Sequence, residues 1–329
     1  MTSRRLVCLT ALLAVAACRS RVPTPAPAPG SSNWTEAVFA RKPLKSFTLH
    51  TGPDGVPKET VVGKRSTYKI RDGDTLLDVA RYYDLGLNEI TEANPGVDAW
   101  IPPVGSTIVL PTEWVLPCCT YEGIVVNIPE MRLYYYVRPP GQRDTVVLHT
   151  YPVGLGTDDH RTPRGRFAVR GKTVNPRWNI PASILQEHIR ERGDKRTSIA
   201  GGDPDNPLGK YRFELTIPRY AIHGTNIPWG IGMLVSHGCS RLYPEDMEQL
   251  FPLVPVGTHG EFTYQLAKVG ESGGHVYVEL HPDIYKYDHL PERALARVLK
   301  QRGLAAKVDD RRLQVAPTQS HGMPFRVSA

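Results

Sequence analysis

At 329 residues, with 40% hydrophobic and 8% aromatic side chains, the chain has room for one sizeable core and a small second domain, which excludes global disorder. Its formal net charge of +7 comes without any basic run interleaved with aromatics. The charge therefore reads as a solvated surface, with at most an attraction to anionic material, and not as a nucleic-acid footprint.

The first residues place Arg4 and Arg5 before an apolar run from Leu6 to Ala17. That run is too short to span a bilayer and reads as a bacterial export signal over residues 1–17. It closes Val15-Ala16-Ala17-Cys18, which resembles a lipobox, so Cys18 is expected to be lipidated and to anchor the mature chain to a membrane. Residues 19–31 form a Pro/Ala-rich tether that builds neither helix nor sheet.

A small unit follows. Tyr68 and Ile70 alternate as in a strand, Asp72-Gly73 turns, and Asp74 or Thr75 can cap a helix whose Leu76, Val79, Ala80 and Tyr83 share one face. Leu87 and Ile90 line a second short helix ending at Asn94-Pro95, and Ile108 to Pro111 closes the unit as a strand. With Gly73-Asp74-Thr75-Leu76, Asn94-Pro95 and Ile108-Val109-Leu110-Pro111 in this order, residues 66–112 resemble a LysM domain. The resemblance implies a βααβ fold that binds the glycan of peptidoglycan.

Beyond Pro117 the chain is rich in strand-like runs: Gly123 to Ile128, Leu133 to Arg138, Thr145 to Val153, Arg166 to Val174, Glu214 to Ile217, Tyr220 to His223, Glu261 to Val269 and His275 to Leu280. They lack the strand-helix alternation of a parallel α/β sheet. A mainly β architecture, a β-sandwich or open barrel with peripheral helices, is expected over residues 121–270, followed by a C-terminal extension with a helix over 271–329. Helices are expected at Pro181 to Glu191, Pro244 to Phe251 and Pro291 to Arg302. In the second of these Pro244 suits the first position, Glu245 and Asp246 complement the dipole, and Met247, Leu250 and Phe251 share an apolar face.

Between two of these elements lies the densest chemistry, His223-Gly224-Thr225-Asn226 and Ser236-His237-Gly238-Cys239-Ser240-Arg241. A cysteine attacks carbonyl carbon as its thiolate, and a histidine within hydrogen-bond reach is the usual way to make one near neutral pH. This sets the expectation of a Cys239 thiol that ionises well below 8.5. Either His223 or His237 could take the proton. Gly238 allows a sharp turn and close substrate approach, backbone N–H groups from Gly238 to Ser240 could hold an oxyanion, Ser236 could bond backbone or a ring, and Arg241 could bind a substrate carboxylate. The competing chemistry is a zinc site completed by His149, His160 or His188. However, His237 and Cys239 lack the usual two-residue gap between ligands, so no metal or other cofactor is expected.

The two motifs, twelve residues apart, match the signature of the YkuD-type L,D-transpeptidases. Similarity continues through Gly123 to Tyr136, Tyr151-Pro152-Val153-Gly154, Thr162-Pro163-Arg164-Gly165, Asn175-Pro176-Arg177-Trp178, Asp205 to Gly209 and Leu242 to Asp246. The resemblance implies Cys239 as nucleophile, His223 as proton acceptor and donor, His237 and Gly238 in support, and Ser236, Thr225 and Arg241 in the substrate pocket. Ser240 departs from the aliphatic residue usual there, and Cys118-Cys119 has no counterpart; too close in sequence to pair without strain, these two are expected to be structural or free thiols.

The implied reaction joins peptidoglycan stem peptides. Cys239 attacks the third residue of a tetrapeptide stem, releases D-alanine and passes the acyl group to an amine, either of diaminopimelate or of an outer-membrane lipoprotein lysine. Water as acceptor would make the chain an L,D-carboxypeptidase, and an inert catalytic domain would leave a wall-binding lipoprotein. The expected location is the periplasm, at a membrane.

Overall fold

The computed structural model describes residues 34–42, 44–287 and 290–329. The export signal, Cys18 and the tether lie outside the described residues. Nine strands form the principal sheet: β1 (Ser46–His50), β2 (Gly123–Asn127), β3 (Arg132–Val137), β4 (Thr145–Pro152), β5 (Gly165–Val174), β6 (Tyr211–Leu215), β7 (Ala221–His223), β8 (Ser240–Arg241) and β9 (His259–Thr263). They run in the order β1-β4-β3-β2-β9-β5-β6-β7-β8. Neighbours are antiparallel except β2 with β9 and β7 with β8, which are parallel. The architecture is mainly β with helices around it.

The middle strands are apolar on both faces, and their two-residue period sends alternate side chains into two cores. Ile124, Val126, Leu133 and Tyr135 join Phe167, Phe213, Ile222, Met247 and Leu250 on one side. Val125, Tyr134, Tyr136, Val146 and Leu148 join the residues of the small unit on the other. The helix Pro244–Leu253 covers the first core, so the segment just after Cys239 is held by Met247 and Leu250, both fully buried.

In the small unit, strands Ser66–Lys69 and Thr107–Leu110 pair antiparallel around helices Leu76–Tyr82 and Leu87–Ala93. Thr75 is the cap, its Oγ1 accepting from Asp78 N at 3.1 Å. Asp74 instead accepts from Arg71 N and from the Tyr68 hydroxyl. Asn94 donates to Ile90 O and Val109 O and accepts from Val109 N, which ties the second helix to the closing strand. The unit shares its core with β3 and β4 instead of closing on itself. It also approaches the loop before residue 234 at a glycine pair: a Cβ on Gly232, whose φ is +80°, would lie 2.3 Å from Leu87 N, and one on Gly86 would lie 2.9 Å from Gly232 Cα.

Buried charges bind these parts together. Lys42 lies 2.6 Å from both Asp84 and Asp246 and 3.3 Å from Glu245. Burial alone would lower its pKa, but the three carboxylates outweigh that and raise it. Arg81 grips Glu36 and Glu245, Arg132 forms a two-pronged pair with Glu89, and Lys268 lies 2.7 Å from both Glu130 and Glu279.

The expected strand from Glu261 to Val269 is two strands in different sheets. It breaks at Tyr264 to Leu266, where Gln265 N donates to Asn127 Oδ1 and the Gln265 amide bonds both main-chain groups of Cys118. After the break, Ala267–Ser272 pairs with His275–Leu280, which pairs with Phe325–Arg326. Helices Pro291–Gln301 and Asp310–Gln319 pack on this sheet through Leu295, Leu299 and Ala316. Cys118 and Cys119 are free thiols; burial pushes Cys119 up to about 12.

Candidate active site

The site forms at the β8 edge of the sheet. In the parallel pair of β7 and β8, Ile222 faces Ser240 and His223 faces Arg241. Parallel neighbours in register point the same way, so Ala221, His223, Cys239 and Arg241 share one face while Ile222, Ser240 and Leu242, all fully buried, fill the core behind. The Ser240 hydroxyl thus sits in the core and not beside the sulfur. On the other side of β7, Arg212 of β6 is in register with His223. His223 therefore stands between two arginines, on the face that carries the thiol.

His223 is almost wholly buried, and its Nδ1 lies 2.7 Å from Gly224 O. A carbonyl only accepts, so Nδ1 carries the hydrogen and Nε2 keeps a free lone pair. Burial, reinforced by the charges of Arg241 and Arg212, pushes this imidazole down to about 3. The Cys239 S–H donates to Arg219 O at 3.8 Å, and burial raises its pKa despite an Ala221 N–H and the same two arginines pulling the other way. Burial thus works against the expected low thiol pKa: it favours the neutral thiol and the neutral imidazole, because it costs both charged forms more than the local charges return.

Gly238 has φ +105°, and a Cβ there would lie 2.5 Å from the Tyr220 ring. Only glycine makes this turn without displacing Tyr220. Ser236 braces it, its Oγ donating to Cys239 O at 2.6 Å and accepting from Gly238 N at 3.0 Å. That bond commits the Gly238 N–H, one of the expected oxyanion donors, to the loop itself.

Two further braces, Thr162 and Tyr285, were not among the expected site residues, although Thr162 lies in a stretch that resembles the family. Thr162 Oγ1 donates to Gly238 O at 3.1 Å and accepts from Gly156 N, while the fully buried Tyr285 hydroxyl donates to Gly156 O at 2.6 Å and accepts from Thr162 N. Arg212 was missed as well: its place beside His223 follows from register alone.

The remaining expected residues are spread around this centre. His237 is exposed; its Nε2 lies 3.1 Å from Glu187 of the helix Ala182–Arg192, and its ring lies 4.5 Å from that of His160. Thr225 Oγ1 accepts from Ile227 N, so the buried hydroxyl closes its own turn. Arg241 is half-buried, its Nε lacks a hydrogen-bond partner, and among the described residues no carboxylate pairs with it. His149 stacks on Tyr135 and His188 meets Trp178. The compact His and carboxylate cluster, Glu130, Glu279 and His281, is fully buried elsewhere and already holds the Lys268 ammonium. A thiol, an imidazole with a free Nε2 and an unpaired guanidinium on one face suit acyl transfer on a substrate that carries a carboxylate.

Residues 122–269 match the YkuD family, described as the L,D-transpeptidase catalytic domain. The chain is 34% identical over 302 residues to the probable L,D-transpeptidase ErfK/SrfK of Escherichia coli, covering 89% of this chain and 94% of that one. It is 41% identical over 226 residues to the probable L,D-transpeptidase YbiS of Escherichia coli, covering 67% of this chain and 71% of that one. The NMR structure of the catalytic domain from E. faecium L,D-transpeptidase aligns with 45% of this chain and 100% of that one, at 20% identity and a TM-score of 0.32. Matched along nine-tenths of its length by a relative above 30% identity, the chain belongs to the L,D-transpeptidase family.

Proposed function

We propose that this chain is a peptidoglycan L,D-transpeptidase in which Cys239 is the nucleophile and His223 the general base and acid. What supports the reading is the shared face of Cys239, His223 and Arg241, with Arg212 on the other side of His223. As Sγ adds to the carbonyl carbon of the third stem residue, its proton passes to His223 Nε2. The collapsing intermediate expels the terminal D-alanine, whose amine takes that proton, and leaves a thioester. An incoming amine then adds to the thioester, gives a proton to His223, and the sulfur departs with it. Arg241 anchors a stem carboxylate as a charge-assisted pair. Ser236, Gly238, Thr162 and Tyr285 keep the loop in place.

The acceptor is a diaminopimelate side-chain amine, giving a crosslink, or a lipoprotein lysine, giving a wall-to-membrane tether. The chain is lipidated at Cys18 and works in the periplasm, where a LysM domain over residues 66–112 holds the glycan. Deleting that domain would strip the core shared with β3 and β4, so substituting its exposed loop residues is the better test of glycan binding. Trp100→Ser with Ile101→Ser should reduce sacculus binding; unchanged binding would sink that role.

Muropeptide analysis decides the reaction. Tetrapeptide-rich sacculi incubated with the chain should lose D-alanine and gain new linkages, and Cys239→Ala should do neither. Tripeptide stems without linkages would establish water as acceptor. Trimming or linking by the Cys239→Ala chain would remove Cys239 from the chemistry.

A further inference from the structure

A cleft of about 540 Å³ opens beside the site, past the end of β7. Its walls come from four parts of the chain: Trp229 and Asn226 from the loop after His223, Asn175 and Asp203 from the crossing between β5 and β6, Pro244 from the start of its helix, and Glu36 from the helix Glu36–Phe39. Thr225, expected in the substrate pocket, also lines it, but none of the groups that carry the acyl group or the proton does.

The lining has a specific character. Trp229 is 49% exposed, although the turn that carries it, Pro228–Gly230, is pinned by Gly230 N to Ile227 O and by Leu87 N to Ile231 O. A large indole held open on a rigid turn is a flat apolar platform. Around it stand neutral acceptors and donors. Asn226 Nδ2 donates to Pro204 O at 3.1 Å, which fixes the amide and leaves its Oδ1 to accept. Two of the charges in the walls are paired, Glu36 with Arg81 and Lys210 with Glu248, and the third, Asp203, accepts from Asp205 N. A platform with amides and little unpaired charge suits an uncharged polar ring better than a phosphate or a free carboxylate.

We infer that this cleft is a second glycan site, seating an N-acetylated amino-sugar ring with one face on Trp229. The inference rests on the transpeptidase reading and deepens it by naming the sugar as part of the substrate that the catalytic domain itself holds. The lengths agree. Asn226 is three residues from His223, a chain span of at most about 10 Å, and three residues of extended stem peptide reach about as far. A sugar held beside Asn226 is therefore within a stem peptide's reach of His223 at the end of β7.

The test uses the full chain carrying Cys239→Ala, so that binding is read without turnover. The Trp229 indole N–H resonance, assigned by its loss in Trp229→Ala, should shift on titration with a disaccharide-tetrapeptide and stay in place with the sugar-free tetrapeptide. In the active chain, Trp229→Ala should lower the preference for the disaccharide-tetrapeptide over the free tetrapeptide about tenfold. An equal shift with both probes would seat peptide in the cleft, and no shift with either would leave it without a ligand; either result overturns the inference. Turnover of tetrapeptide by the unsubstituted chain is read separately, and its failure strikes the transpeptidase reading while the indole shift stands on its own.

Discussion

Two sets of buried and half-buried titratable groups differ in how their charges are met. At the junctions, Lys42, Arg132 and Lys268 are fully buried and each touches one or more carboxylates. At the β8 edge, His223 sits between two arginines, Arg241 Nε has no partner, and Cys239 holds its proton on a backbone carbonyl. The junctions spend their cations on holding parts of the chain together. The edge keeps a lone pair, a thiol and a guanidinium in reserve, and those are what a substrate can use. Burial serves both, but only at the junctions is it compensated inside the protein.

The largest effect should come from the edge. Replacing His223 by Gln removes the free Nε2 and should lower kcat by about 10³-fold, as for loss of a general base, while His237→Gln, at an exposed ring bonded to Glu187, should cost less than about tenfold. Steady-state kinetics on a tetrapeptide donor separates them, and a larger loss at His237 would exchange their roles. Lys42→Met should do the opposite of His223→Gln. It strands Asp84 and Asp246 and should destabilise the fold by about 3–5 kcal/mol in denaturant titration, with kcat per folded molecule little changed.

Arg241→Gln should raise KM for a donor with a free carboxylate by roughly 10- to 100-fold, the worth of one charge-assisted pair, and have less effect on an amidated donor. Equal effects on both donors would mean that the guanidinium serves the loop and not the substrate. The smallest effects are in pH dependence. With the thiol raised by burial, the rate of Cys239 alkylation should still be climbing above pH 9, and a plateau near pH 7 would restore the thiolate picture. With His223 pushed down to about 3, the unfolded chain takes up this proton first. Stability should fall as pH drops below about 6.5, and His223→Gln should flatten that slope.

Local periodicity and turn chemistry made much of this legible in the sequence. The helix after Cys239 starts at Pro244 as its proline and acidic first turn require, the expected helix from Pro181 to Glu191 forms at Ala182–Arg192, and the strand-like run from Tyr220 to His223 forms β7 at Ala221–His223. What was not legible is set by pairing across the chain. Ser46–His50 reads as nothing in particular, yet it forms the edge strand against β4. The partners of Lys42 lie 42 to 204 residues away, and Tyr285 reaches the site across 129 residues. The direction in which burial moves the Cys239 and His223 pKa values was not legible either, because a motif gives residue types and not burial. Only the register showed His223 flanked by arginines in a dry strand.

Intact-mass analysis of the full chain, quenched within one turnover of a tetrapeptide donor, tests the role of Cys239 most directly. The mass should rise by that of the donor less its terminal D-alanine, the adduct should be released by hydroxylamine as a thioester, and Cys239→Ala should carry none. An adduct that survives in Cys239→Ala, or transpeptidation that proceeds with no adduct in the unsubstituted chain, would contradict acyl transfer through Cys239.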